Sequence, residues 1–124
     1  MKNIPLLLLA ALIATPSFAE AKKRPLPTYA HAVRCAGLTG AWMREVPEAS
    51  EEGLKRFDRA LFWGLAASEV ARRNKLTAAR MEADTQGSVA RAQSEFGGAG
   101  PVAEAARREL GACVAEVPPI RRKR

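Results

Sequence analysis

Beyond about residue 25, prolines and glycines divide the chain into four helix-sized pieces, with apolar residues recurring at spacings of three and four. No stretch sustains the period-two alternation of a half-buried strand. Short connections between such pieces bring neighbours antiparallel. The expected fold is therefore all-α: a single-domain up-down four-helix bundle over residues 28–117. A chain of 124 residues has room for one such domain.

Each piece carries its own start and stop signals. Thr28 is placed to cap a first helix reaching about Arg44, with Tyr29, Ala32, Val33, Ala36, Gly40 and Met43 on one face. Pro47 and Ser50 open a second, where Glu48, Glu51 and Glu52 put negative charge at the positive end of the helix dipole. Leu54, Phe57, Leu61, Leu65 and Ser68 form its stripe, and residues 60–67 are apolar all round, the pattern of a helix central to a domain. Two rows of small residues, Ala32-Ala36-Gly40 and Ala60-Gly64-Ser68, are expected to mesh. Arg72 and Arg73 suit the C-terminus, with Asn74 as a left-handed stop. Thr77 opens a third helix whose stripe is Met81, Thr85, Val89, Ala92 and Phe96. Gly100-Pro101 starts the fourth, with Val102, Ala106, Leu110, Cys113 and Val117 as its buried face.

Two cysteines fit this topology. Cys35 lies about two turns into the first helix and Cys113 about one turn before the end of the last. Antiparallel packing of those helices puts the two sulfurs at matching heights, and an even count in an exported chain points to a disulfide. The competing arrangement is a zinc site, since His31 with Cys35 and Glu109 with Cys113 are both i, i+4 pairs. An oxidising compartment favours the disulfide, and no metal or other cofactor is expected.

The N-terminus reads as an address. Lys2 precedes an apolar run from Ile4 to Ala14, and Ser17 with Ala19 supplies the small residues of a signal-peptidase site; Ala21 offers a second cut. Residues 1–19 are thus expected to be a cleaved secretory signal, and the mature protein periplasmic or secreted. The formal charge is +7, yet residues 25–120 hold twelve basic and twelve acidic side chains. The excess sits in two tails. Lys22, Lys23 and Arg24 belong to a basic, proline-rich lead-in over 20–27, and Arg121, Arg122, Lys123 and Arg124 to a C-terminal tail over 118–124. A neutral body with basic ends and no interleaved aromatics argues against nucleic-acid binding. Such tails are suited instead to weak contact with anionic lipid.

Catalytic constellations are missing. There is no P-loop, GxGxxG, GxSxG or CxxC, and one histidine. Glu69 precedes Arg73 by four residues, the spacing of a helical ion pair. Trp42 lies near a helix end beside Met43 and Arg44, which makes these three the candidate contact residues for a partner. Signal, size, helicity and cysteine count together resemble small exported two-cysteine helical proteins of Gram-negative bacteria. That group includes acid-stress chaperones and immunity proteins, and no motif carries site residues across. The expectation is a non-enzymatic exported protein that binds another envelope protein. The alternative is a chaperone-like or envelope-surface factor held on anionic lipid by its tails.

Overall fold

The computed structural model describes residues 25–119. They form four α-helices joined by short connections: α1 (Tyr29–Met43), α2 (Glu51–Arg73), α3 (Ala78–Gly97) and α4 (Pro101–Ala115). No strand occurs among the described residues. The N-caps follow the sequence closely. The side chains of Thr28, Ser50 and Thr77 accept hydrogen bonds from the backbone N–H of His31, Gly53 and Arg80, and Pro101 opens α4. The left-handed residue after α2 is Lys75 (φ 59°), not Asn74, which caps the helix at φ −86°.

The central helix is α1, not the longer α2, whose run over residues 60–67 is apolar all round. Every residue from Cys35 to Ala41 is buried, and α1 packs against α2, α3 and α4 alike. The composition of α1 makes this possible. Ala32, Ala36, Gly37, Gly40 and Ala41 have little side chain, so neighbouring helices approach its backbone from several directions. Thr39, the buried polar residue, is satisfied within the helix, its hydroxyl donating to Cys35 O at 2.7 Å.

The close approach falls elsewhere than the expected mesh of small rows. A Cβ placed on Gly37 would come within 2.6 Å of the Ser88 backbone carbonyl carbon, and one on Gly40 within 3.0 Å of Val89 Cγ2. Both contacts are with α3. Ser88 completes the crossing by donating its hydroxyl to Val33 O at 2.9 Å. A Cβ on Gly64 would meet no atom within 4 Å, so the α2 row does not mesh with α1.

The first and last helices are joined as their heights require. Cys35 and Cys113 form a disulfide with Cα atoms 5.5 Å apart, closing 78 residues of sequence. A loop of that size is stabilised by ~4 kcal/mol in the chain-entropy account. Trp63 of α2 is buried beside it and donates its indole N–H to Cys113 O at 3.0 Å. One tryptophan thereby ties α2 to the α1–α4 pair. On α4, Ala106, Leu110 and Cys113 are buried as expected, while Val102, expected on the same face, is exposed.

The glycines give the test of this packing. Gly37→Ala is expected to lower stability by roughly 1–3 kcal/mol through overpacking against Ser88. Gly87→Ala, in open space on α3, is expected to raise it by ~0.5–1 kcal/mol. Urea unfolding followed by circular dichroism measures both, and a neutral Gly37→Ala would contradict the close α1–α3 crossing.

Candidate functional site

The surface has one unexpected face. The α2 stripe Leu54, Phe57, Leu61 and Leu65 points to solvent, with exposures of 53%, 45%, 46% and 62%. The side of α2 that meets the core is instead Trp63, Ala67, Val70 and Ala71. At 100° per residue the two sets lie on opposite sides of the helix. A helix apolar all round has two candidate inner faces. Burial goes to the one that carries Trp63, whose indole N–H reaches a partner at Cys113 O.

Leu65 is shared with a groove of about 860 Å³ between α2 and the two ends of the domain. Phe62, Trp63, Leu65 and Ala66 supply the α2 wall, Pro25, Leu26 and Pro27 the lead-in, and Pro118 the exit of the chain. Leu26, in the lead-in before α1, is 44% exposed. The floor is aromatic: Trp63 sits edge-on to Phe62 and to His31, with ring centroids 5.3 and 5.4 Å apart.

Charge gathers at the rim. His31 Nε2 lies 3.1 and 3.2 Å from the two carboxylate oxygens of Glu116, near the chain exit. Glu69 borders the groove from α2 and accepts hydrogen bonds from Arg72 and Arg73, which pull its carboxyl down to about 2. It is an ion-paired surface residue, as its spacing implied. Glu116 differs, since a histidine rather than an arginine opposes it. Among the lining residues there is no lysine or arginine.

The other sequence candidates are placed as follows. Trp42 is half-buried at the core edge and covered by Arg56, whose guanidinium carbon lies 4.5 Å from the ring centroid and whose Nη1 donates to Trp42 O at 2.8 Å. Met43 is half-buried, and Arg44 is the exposed member of the three. They do not make a joint exposed patch. Both zinc-candidate sulfurs are in the disulfide, and Glu109 accepts two hydrogen bonds from Arg34. Lys22, Lys23, Arg24, Arg121, Arg122, Lys123 and Arg124 lie outside the described residues. Among the described residues no helix is long and apolar enough to cross a membrane. Comparison with known protein families, curated proteins and solved structures gave no match.

Away from the groove, arginine–carboxylate clusters tie the helices together. Arg34 of α1 bridges Glu95 of α3 and Glu109 of α4, while Arg107 of α4 reaches back to Glu45 at 2.6 Å and lies over Phe96. Hydrogen bonds from Arg107 and Arg34 hold the carboxyls of Glu45 and Glu109 below the usual carboxylate range. A carboxylate depressed in the folded state stabilises it above the unfolded pKa of ~4.3 and loses that contribution as pH falls through the lower folded value. The urea midpoint is therefore expected to fall below about pH 4. The double variant Glu45→Gln, Glu109→Gln is expected to be less stable at pH 7 and to lose less on acidification. Identical pH dependence in both proteins would contradict this assignment.

Proposed function

We propose that this protein is a non-catalytic binding module of the cell envelope, and that its groove takes an apolar segment of another envelope protein. The observation that carries the reading is the groove itself, an aromatic and aliphatic trough that stays open to solvent at Leu26 and Leu65. Concave apolar sites with a few convergent polar groups are the usual form of a recognition site. Glu116 specifies the occupant further. Half exposed and opposed by His31, it is the rim carboxylate placed to receive a cation. The favoured ligand is an apolar stretch carrying a lysine or arginine at one end.

The disulfide and the apolar N-terminal run support export to an oxidising compartment, periplasmic or extracellular. The non-catalytic reading rests on the lack of a P-loop, GxGxxG, GxSxG or CxxC motif in the sequence.

Selection from a displayed random-peptide library on the immobilised protein tests the proposal. Enriched peptides are expected to combine apolar residues with a neighbouring lysine or arginine. Leu26→Asp should abolish capture without altering the helical circular dichroism, because Leu26 is in no helix. Glu116→Gln should remove the preference for the basic residue, and deletion of Arg121–Arg124 should leave capture intact. No enrichment, or enrichment indifferent to Leu26→Asp, would overturn the groove as the site. Capture lost on tail deletion alone would favour a tail-driven electrostatic contact instead.

A further inference from the structure

We infer that the outer face of α2 is a self-association surface, on which a second copy of this chain packs its own α2 antiparallel about an axis near Leu61. This goes beyond the groove reading and rests on different residues, Leu65 and Glu69 excepted.

Four large apolar side chains at helical spacing face solvent along one line of α2. The helix has 23 residues and is about 34 Å long, enough for a helix–helix contact of several turns. What identifies the occupant is the distribution of charge along the same helix. At 100° per residue Glu51 in the first turn and Arg72 in the last flank the stripe, whereas Glu52 lies on the opposite side, paired with Arg56, and Arg73 turns away. Such a helix complements a reversed copy of itself, since each acidic start then lies beside a basic end and the two dipoles oppose. Parallel pairing would instead set like charges side by side.

The register follows from the stripe. With Leu61 facing Leu61 of the second copy, Phe57 comes opposite Leu65 of that copy and Leu54 opposite Ser68. Lys55 then stands near Glu69 of the second copy, and Glu51 near Arg72, on the same side of the contact. Space is available for a close approach beside the stripe, because a Cβ on Gly64 would meet nothing within 4 Å. The arrangement is two-fold and closed, so it terminates at a dimer.

Sedimentation and cysteine crosslinking of the purified protein test this together. The wild-type protein is expected to show a reversible monomer–dimer equilibrium. Leu61→Asp, at an exposed position, should weaken it roughly tenfold or more, as expected for replacing a buried leucine contact by a charge, with unchanged helical circular dichroism. Under mild oxidation Leu61→Cys should form a covalent dimer with itself. Leu54→Cys should not, but should crosslink when mixed with Ser68→Cys. Val102→Cys, exposed on α4, serves as the background. A monomer at all concentrations, a dimer indifferent to Leu61→Asp, or self-crosslinking of Leu54→Cys equal to that of Leu61→Cys would each overturn the proposal. Peptide capture that survives Leu61→Asp but not Leu26→Asp separates this outcome from that of the groove.

Discussion

The arrangement of this molecule depends on a helix with no outside. From Cys35 to Ala41 α1 has no solvent-facing residue, which requires the other helices to surround it. Small residues permit that enclosure at the cost of conformational entropy, since Gly37 and Gly40 are poor helix formers. The compensation is tertiary. Ser88 and Val89 close over the two glycines, the disulfide fixes Cys35 against α4, and Trp63 locks α2 to the same point through Cys113 O. These contacts converge within two turns of α1, so loosening one exposes the seat of the others.

Enclosing α1 determines what the surface displays. α2 contributes one side to the core, the side with Trp63 and Ala67, and its other apolar side has nowhere to go within a four-helix domain of this size. The groove arises from the same geometry. α1 begins at Tyr29 and α4 ends at Ala115 near one end of α2, so the entering and leaving chain segments wall a trough over Trp63. Both candidate surfaces are thus consequences of the core arrangement, and they share Leu65 at their border.

Much of this was legible in the sequence. Caps at Thr28, Ser50 and Thr77 and the proline at 101 are local signals, read within one turn, and they fixed helix starts to a residue or two. The Cys35–Cys113 pairing was legible because topology alone sets the heights of the two sulfurs. The sidedness of α2 was not. Periodicity identifies an apolar stripe but cannot choose between two of them, and the choice turned on an indole N–H finding a carbonyl 50 residues away. The small-residue rows misled for a related reason. Gly37, which makes the closest approach, belongs to no i+4 row, and its partner Ser88 is polar. The groove escaped notice because it joins Leu26, Phe62 and Pro118, which share no sequence pattern.

α1, not α2, is the buried axis of the domain. Native-state amide hydrogen exchange measures this most directly, because exchange free energies rank elements by how they open. The amides of Cys35–Ala41 are expected to exchange last, through global unfolding, and those of α2 from Leu54 to Leu65 sooner, by local opening. Slowest exchange in α2, with α1 opening independently, would contradict it.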